Sequence, residues 1–473
     1  MPVAVDRKPR QNPYRKYRYV VLPLISVFKA ETASHDELPE AVPIIQSKYV
    51  IRPFKSDSGK YELRNVPVIL KPDGTIWHHG SLYILSRASE YNPPSDQTLR
   101  SYAKGLVDYI NTLSVDQVDY LSTPLRQSLR PTYHYRAVLE ERINGELIAI
   151  STANSRISIV VNFYRWMKNR FDYHPTQDLW IEIKKYVRYN NRQGFSSGRE
   201  VITTNLNIMQ SQEVNTGEYI VDGGKLYPYC EEQQRILVKV LLETQNTEMI
   251  LSFLVALTSG ARSLTTYTLR TTDVVNPESI KGTEVAIRIG QRTAVDNKNN
   301  KSMNIYIPSW LNRIIYTYIN SERYNKRASK AGLPTDGAQY VFLTSRGNPF
   351  HIAKSDIRRG QENPIQEGNS VRKFISETLQ PALNKLESSF KFRFHNLRAC
   401  FGMNLLEEKL KGLPVNSVAY TRALGKVQQR MGHAERSTTE RYLNYTEGKD
   451  LKFQAQSMFE QHLQTISKNH VYS

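Results

Sequence analysis

The sequence has few cysteines and no long apolar run. Its 473 residues include two cysteines, Cys230 and Cys400, and neither has a second Cys or a His at metal-ligand spacing. We therefore expect neither a disulfide framework nor a zinc site. The longest apolar run, around residues 251–257, is far shorter than the ~18–20 residues that cross a bilayer, so no membrane span is expected. The basic N-terminus lacks the apolar centre of a secretory signal, which predicts a cytosolic protein.

Acidic residues are scarce relative to basic ones. The chain has 45 Asp and Glu against 64 Lys and Arg, which gives a formal net charge of +19. Such an excess predicts a polyanionic partner, and nucleic acid is the leading candidate. A basic surface kept for solubility is the alternative explanation.

The chain is long enough for several domains. Aromatic residues make up 10% of the sequence, and apolar residues recur along it, which excludes a wholly disordered protein. At roughly 100–200 residues per domain, two to four domains are expected.

The first 94 residues divide into two regions. Residues 1–45 form a basic, aromatic-rich arm and connector with Arg15, Lys16 and Arg18 as candidate DNA contacts, although a disordered, solvated tail has the same composition. Residues 46–94 predict a small strand-rich accessory domain from KYVIRPF, KYELRNVPVIL and TIWHHGSLYIL. This region is expected to bind DNA arm sites or protein partners.

From residue 95 the apolar period becomes helical. Apolar residues recur every three or four positions after a cap at Ser95, and a second helix is predicted over residues 152–169. The first turn of this second helix contains Thr152, Asn154 and Arg156. These polar groups either cap the helix or contact phosphates and base edges. Residues 95–190 are thus a predicted helical domain, and the Asn-, Gly- and Ser-rich residues 191–226 a predicted linker.

Residues 227–450 combine helical patterns with one short pair of strands. The strands are EVAIRIGQ and NIYIP, joined by the polar turn DNKNNKSM. Helices are expected over 231–243, 248–258, 310–325, 371–386, 395–411 and 424–431. Together these predict an α-rich domain with a small antiparallel sheet.

Four segments of this last region contain the candidate chemistry. Each is weak alone, because a single Arg or His is more often a surface or capping residue. The segments are SGARSLTTYTLR with Arg262, DNKNNKSMNIYIP with Lys298 and Lys301, FHNLRACFGMNLL with His395 and Arg398, and MGHAERSTTERYLNY with His433 and Tyr442.

Together and in this order, the four segments resemble the catalytic domain of the tyrosine recombinases, or phage integrase family. HNLR matches the H-x-x-R motif, and Tyr442 stands nine residues after the His433 of GH. The resemblance covers roughly residues 227–450 and extends weakly over 95–190, which are similar to the family's core-binding domain. It implies a multi-domain fold: a mostly α-helical core-binding domain, a mixed α+β catalytic domain with a small antiparallel sheet, and the strand-rich N-terminal unit.

The resemblance implies cleavage and rejoining of DNA through a 3'-phosphotyrosyl intermediate, with Tyr442 as the nucleophile. Two guanidiniums, Arg262 and Arg398, suit the growing negative charge of an attacked phosphodiester, because they are always charged and bond bidentately. Energy stored in the phosphotyrosyl bond implies that no ATP, metal ion or other cofactor is required.

Proton transfer is assigned by the same resemblance. His395 is expected to act as general base for the tyrosine and His433 to donate a hydrogen bond to the phosphate. The general acid for the departing 5'-oxygen corresponds to Lys298, with Lys301 as the alternative.

Two positions depart from the family pattern. Thr265 stands where an acidic residue is common, and Ala399 stands where His is common after the second Arg. The lysine turn is also about two residues longer than usual. These differences concern residues around the site and leave its six residues intact.

The leading hypothesis is a site-specific DNA recombinase or integrase of a bacterial or phage-encoded mobile genetic element. Its partner is expected to be double-stranded DNA with inverted-repeat core sites, bound by a homo-tetramer on two sites, with directionality or bending factors as further candidates. The tail, 451–473, is expected to form a helix that packs on its own domain or docks on a neighbouring protomer. A type IB-like topoisomerase and a catalytically silent site-specific DNA-binding protein are the alternatives.

Overall fold

The structure is a computed structural model that describes residues 16–26, 28–32, 49–53, 62–190, 196–209, 218–298, 301–332, 338–360, 366–414 and 417–446. Arg15, part of the arm, and the tail, 451–473, lie outside these residues. The chain divides into two compact units, Met1–Glu213 and Val214–Ser473, and each is described by itself.

Unit 1 begins with two antiparallel strand pairs. The first strand lies beside the fourth, with Arg18 opposite Leu70, and the second lies beside the third, with Phe28 opposite Pro53. The strands are β1 (Arg18–Ser26), β2 (Phe28–Thr32), β3 (Tyr49–Pro53) and β4 (Glu62–Leu70).

Four helices follow and enclose the apolar core of unit 1. Its centre contains Tyr109 and Tyr164, which are fully buried and whose hydroxyls are 2.6 Å apart. The helices are α1 (His78–Ala88), α2 (Asp96–Val115), α3 (Pro131–Asn144) and α4 (Ile150–Arg170).

The sequence prediction for these helices is confirmed in two places and wrong in one. Helix α2 begins after Ser95, whose side chain accepts a hydrogen bond from the Thr98 amide, and α4 contains the whole second predicted helix. The strand predicted for TIWHHGSLYIL is wrong, because most of it forms α1. The buried positions of α1 include Gly80, Tyr83 and Ile84, a spacing of three and four that fits a helix rather than a strand.

The predicted linker, 191–226, contains strands. Strand β6 pairs with β5 along its whole length, with Glu182 opposite Thr204, and a second, shorter hairpin forms near residue 222. Turn-rich composition therefore corresponds here to hairpins, and in the shorter one Gly223 and Gly224 lie in the turn. Strand β5 (Glu182–Asn190) lies at the end of the predicted helical domain, 95–190, which is therefore not helical there. Strands β6 (Ser196–Thr204), β7 (Ile220–Val221) and β8 (Lys225–Leu226) lie within the predicted linker.

Unit 2 is mostly helical around the small sheet that the sequence predicts. That sheet is confirmed: Ile289 lies opposite Met303, and alternate residues of the first strand are buried, as in a sheet with one covered face. The elements are α5 (Glu231–Glu243), α6 (Thr247–Ser259), α7 (Ser263–Tyr267), β9 (Glu284–Ile289), β10 (Met303–Pro308), α8 (Ser309–Ile319), α9 (Glu322–Ala328), α10 (Asn369–Phe374), α11 (Gln380–Leu386), α12 (Asn396–Leu410) and α13 (Val418–Met431).

The predicted helices of unit 2 are all present, with two local changes. The helix predicted over 310–325 is divided into α8 and α9, because Ser321 caps a new helix by accepting from the Tyr324 amide. A π-helical turn, Ile375–Leu379, joins α10 to α11. Residues 436–446 are also helical. Short 3₁₀ turns lie at Gln127–Leu129, Thr271–Asp273, Pro277–Ser279 and Ile357–Gly360.

Two apolar clusters stabilise unit 2. The larger contains buried side chains of α6, of the β9–β10 sheet and of α8. The smaller joins the β7–β8 hairpin to α12 and α13, and includes Ile220, Leu226 and Tyr442. The described chain is thus mostly helical with two-stranded antiparallel sheets. None of the described helices is both long and apolar enough to span a membrane.

Candidate active site

Arg398 is the most constrained side chain of the candidate site. It lies in the first turn of α12 and is only 5% exposed. Its NH1 donates to the Gly260 carbonyl at 2.9 Å, its NH2 donates to the Met431 carbonyl at 2.5 Å, and its Nε donates to the Asp222 carboxylate at 2.8 Å. The guanidinium therefore joins three separate segments and holds one orientation.

Arg262 approaches the same carboxylate from the start of α7. The preceding helix, α6, ends at Gly260 with a φ of 69°, a left-handed conformation that glycine adopts without strain. The Arg262 NH2 lies 3.3 Å from Asp222 Oδ1, and its buried Nε has no hydrogen-bond partner among the described residues. Burial, followed by the nearby Arg398, lowers the pKa of Arg262.

His433 follows the end of α13. Gly432 terminates that helix with a φ of 65°, and the His433 amide donates back to Gln428. The ring Nε2 lies 3.2 Å from Asp222 Oδ2, and Nδ1 lies 3.0 Å from the Thr439 hydroxyl. Burial lowers the His433 pKa, so the neutral ring is favoured. Because a carboxylate only accepts, Nε2 donates to Asp222 and Nδ1 accepts from Thr439.

Tyr442 lies on the helical residues 436–446 and is 1% exposed. Its ring fills space that Gly402 leaves open, since a Cβ on that glycine would lie 2.5 Å from a Tyr442 ring carbon. The phenol donates to Asp222 Oδ2 at 3.2 Å. Burial, followed by the charge of Asp222, raises the pKa of Tyr442, so the tyrosine is a neutral phenol in this arrangement.

Asp222 is the functional residue that sequence reasoning missed. It begins the turn Asp222–Gly223–Gly224 between β7 and β8, which we call the acidic turn. Burial alone would raise its pKa, but the hydrogen bond from His433 and the charge of Arg398 hold the pKa well below its usual range. Asp-Gly-Gly between two short β-like pairs, Ile220–Val221 and Lys225–Leu226, is a hairpin signal, but nothing local relates this turn to motifs 40–220 residues away.

His395 contacts the acidic turn through the backbone. Its Nε2 lies 3.2 Å from the Asp222 carbonyl and donates to it. Burial lowers the pKa of His395, which favours the neutral ring. In this arrangement the acceptor of the Tyr442 hydroxyl is Asp222, not His395.

Both candidate lysines border one cavity of about 210 Å³ beside Arg262 and Arg398. The Lys298 Nζ lies 3.1 Å from the position of a Cβ on Gly223. The Lys301 Nζ lies 3.5 Å from the Gly432 carbonyl. The structure brings both near the acidic turn, and the choice of Lys298 stays a prediction. Thr265 is buried and also lines this cavity.

The residues proposed for DNA contact in unit 1 have mixed surroundings. The Asn154 amide donates to the Ile208 carbonyl and accepts from the Ile208 amide, both at 2.9 Å. Arg156 forms an ion pair with Asp108 at 2.9 Å. Both therefore have structural partners within unit 1, whereas Thr152 is exposed. Contact of these residues with DNA stays a prediction.

The described part of the basic arm is short. Lys16 is exposed, and Arg18 begins β1 with partial burial. Arg15 lies outside the described residues, so the structure gives no position for it.

The site is electrostatically unbalanced. Among the described residues that line its cavity, Asp222 is the one acid, against five Lys and Arg side chains: Arg262, Lys298, Lys301, Arg398 and Arg430. No described group of three or more His, Cys, Asp or Glu side chains has an arrangement suited to a metal ion. The arrangement is suited to binding an anion next to a buried hydroxyl.

No protein-family model matches the sequence, and no curated protein matches it. Several solved structures show a distant likeness. The XerH site-specific recombinase bound to palindromic difH substrate, in a post-cleavage complex, shares 11% identity over 80% of this chain and 89% of that chain, with a TM-score of 0.44.

Two other solved structures are similar to about the same extent. The Tn1549 transposon integrase with circular intermediate DNA shares 14% identity over 77% of this chain and 94% of that one, with a TM-score of 0.43. A lambda integrase dimer bound to a COC' core site shares 12% identity over 77% and 93%, with a TM-score of 0.40.

Proposed function

We propose that this protein is a site-specific DNA recombinase of the tyrosine type. One observation carries the proposal: two guanidiniums, an imidazole and a phenol all bond to the same buried carboxylate. A phosphodiester presents the same kind of anionic oxygens as Asp222 does. When a phosphate replaces that carboxylate, Tyr442 is next to the phosphorus and the cations surround its oxygens.

The first chemical step joins Tyr442 to DNA. The phenolic oxygen attacks the phosphorus, the bond to the 5'-oxygen breaks, and a 3'-phosphotyrosyl ester forms. Negative charge grows on the non-bridging oxygens during the attack. Arg262 and Arg398 stabilise it with charged hydrogen-bond donors, and two backbone carbonyls orient Arg398 before the reaction.

Two protons move in this step. Burial raises the pKa of the Tyr442 phenol, so it needs a base to accept its proton. We assign that role to His395, a neutral imidazole that contacts the acidic turn. The departing 5'-oxygen takes a proton from Lys298, the lysine nearer the acidic turn. The reverse sequence, with a new 5'-hydroxyl as nucleophile, rejoins the strand without ATP, metal ion or other cofactor.

At the level of the whole reaction, we propose that four protomers act on two DNA sites with inverted-repeat cores. Paired cuts and rejoinings then exchange strands and integrate or excise a mobile element. The net charge of +19 supports a DNA partner.

A covalent-trapping experiment tests the proposal. The wild type, Tyr442→Phe and Tyr445→Phe are each incubated with a randomised library of nicked duplexes, denatured, and the attached DNA is sequenced. Tyr445 is a matched control, because it is also a buried tyrosine of the same helical segment. We expect adducts with the wild type and Tyr445→Phe, enriched in one inverted repeat, and none with Tyr442→Phe.

Three results would redirect the proposal. Adducts that persist in Tyr442→Phe would exclude this tyrosine as the nucleophile. Adducts without sequence preference would favour a topoisomerase. Binding of one sequence without any adduct would favour a silent DNA-binding protein.

A further inference from the structure

The acidic turn has the contacts that a bound phosphate would need. Asp222 Oδ1 accepts from Arg262, and Oδ2 accepts from Arg398, His433 and Tyr442 at 2.8–3.2 Å. Both carboxylate oxygens are thereby used, and the side chain is 7% exposed. The anion position beside the tyrosine is occupied by the protein itself.

Two anions cannot share this position. Within a buried site, like charges a few ångströms apart repel strongly because water screens them poorly. Each of the three guanidinium nitrogens of Arg398 also already donates one hydrogen bond within the protein, including the one to Asp222. A phosphate therefore reaches the Arg262–Arg398 pair only after Asp222 has left it.

The backbone of the acidic turn can change conformation while the two strands of the hairpin stay paired. Ile220 and Leu226, on its two strands, are 0% and 2% exposed in the apolar cluster around Tyr442. Between them, Gly223 and Gly224 have φ values of 71° and 159°, and a Cβ on Gly224 would meet nothing within 4 Å. Glycines have many accessible backbone conformations, so the turn can swing while the strands stay packed.

We propose that the acidic turn is an autoinhibitory occupant of the active site, in which Asp222 takes the place of the scissile phosphate until DNA displaces it. The identity of the displacing phosphate rests on the proposed function. The turn also accepts a hydrogen bond from His395 Nε2 at the Asp222 carbonyl, so its departure changes the contacts of His395 together with those of the two arginines. Displacing the Asp222 carboxylate costs free energy. The wild-type protein therefore has a lower apparent affinity for any anion at this site.

The first experiment measures anion binding without DNA. Inorganic sulfate is titrated into the full-length wild type, Asp222→Asn, Asp222→Ala and Glu218→Gln, and the imidazole resonance of His433 is followed by NMR. Glu218 is a matched control for charge, because it is an exposed acid four residues before Asp222. Chloride at equal ionic strength controls for screening.

We expect half-saturation of both Asp222 variants at a sulfate concentration at least tenfold lower than for the wild type or Glu218→Gln. Equal half-saturation in all four proteins would overturn the proposal. Near-UV circular dichroism identifies a variant that has lost its fold, and the more conservative Asp222→Asn then decides the result.

The second experiment follows covalent adducts with the same four proteins. Both Asp222 variants are expected to reach half-maximal adduct formation at a lower DNA concentration than the wild type, with a maximal rate at least as high. Loss of adducts in folded Asp222 variants would overturn the proposal and make Asp222 a catalytic residue, for instance the base for Tyr442.

The two experiments separate this inference from the proposed function. A sulfate result as expected, with no adduct from any of the proteins, supports the acidic turn as occupant of an anion site and contradicts recombination. Tyr442-dependent adducts with equal sulfate binding support recombination and contradict autoinhibition.

Discussion

Asp108 in unit 1 and Asp222 in unit 2 have almost the same partners. Asp108 accepts from Arg142 at 3.0 Å, from Arg156 at 2.9 Å and from the Tyr135 hydroxyl at 2.6 Å. Asp222 likewise accepts from two arginines and one tyrosine, with a histidine in addition. We call these the Asp108 cluster and the Asp222 cluster. Their chemistry alone does not distinguish them.

The supporting backbone does distinguish them. Asp108 lies in the middle of α2, and its partners lie on α3 and α4, so the carboxylate links three packed helices. Asp222 lies on a turn with two glycines, next to a cavity lined by further basic side chains. An acid held by a helix among arginines stabilises the fold, whereas an acid on a glycine turn occupies a site that another anion can take.

The largest expected difference between the clusters is in DNA cleavage. Arg398→Ala removes a donor aimed at the growing phosphate charge, and by analogy with one oxyanion donor we expect a loss of about 100- to 1000-fold in cleavage rate. Arg142→Ala, the matched change in the Asp108 cluster, should leave the rate per folded molecule unchanged. Single-turnover cleavage of nicked duplex measures both, and an equal loss in both variants would contradict the distinction.

The next difference concerns the free energy of unfolding of the two Asp→Ala variants and how much of it sulfate restores. Asp108→Ala leaves two arginines and a tyrosine without their shared acceptor, and we expect a loss of about 2–3 kcal/mol in the free energy of unfolding, below the range for fully buried pairs because the carboxylate is partly exposed. Urea unfolding measures this loss.

Sulfate should change the free energy of unfolding of Asp108→Ala and Asp222→Ala by different amounts. Sulfate stabilises most proteins by exclusion, so Asp108→Ala provides the baseline. We expect sulfate to bind folded Asp222→Ala at the position that the carboxylate leaves, and not to bind the unfolded chain. It should therefore stabilise Asp222→Ala by more than it stabilises Asp108→Ala. Equal stabilisation of the two variants would contradict the distinction between the two clusters.

A substitution that overpacks the surroundings of Tyr442 should have a smaller effect on stability. Gly402→Ala places a Cβ 2.5 Å from a Tyr442 ring carbon, and overpacking of this kind costs about 1–3 kcal/mol. Gly425→Ala on α13 meets nothing within 4 Å, and should raise stability by about 0.5–1 kcal/mol through helix propensity. Thermal unfolding compares the two, and cleavage assays should show a loss for Gly402→Ala only.

The smallest expected effect is on the titration of His433. The folded-state pKa lies below the ordinary value of 6.5, so the unfolded chain binds more protons just below pH 6.5. The stabilising contribution of the neutral ring is therefore complete above pH 6.5 and is lost as the pH falls through the folded pKa.

Asp222 opposes this shift, because its charge and hydrogen bond raise the pKa of His433 whereas burial, Arg398 and Arg262 lower it. Asp222→Asn should therefore lower the His433 pKa further. Asp108→Asn, made in the other unit, should leave it unchanged. NMR titration of the His433 imidazole measures both, and a rise in Asp222→Asn would contradict the charge assignment.

Local signals determined much of the fold. A cap at Ser95 and a three- and four-residue apolar period are properties of neighbouring residues, so α2 could be predicted from them, and the same holds for α4 and α5. The β9–β10 pair has alternating burial that its sequence displays. The strand predicted where α1 forms was wrong because local signals were ambiguous there. In a short segment rich in aromatic and β-branched residues, strand and helix patterns overlap, and tertiary packing selects one of them.

The residues of the candidate site could be predicted from sequence: two arginines, two histidines, two candidate lysines and a tyrosine in a recognisable order. The position of Asp222 among these residues could be found only from the three-dimensional fold. The residues that meet at its carboxylate are separated by up to 220 positions along the chain, and no local propensity relates an Asp-Gly-Gly turn to a distant Arg or Tyr. Only the folding of α12, α13 and the β7–β8 hairpin around one apolar cluster brings them together, because burial holds unlike charges at hydrogen-bond distance whatever their separation in sequence.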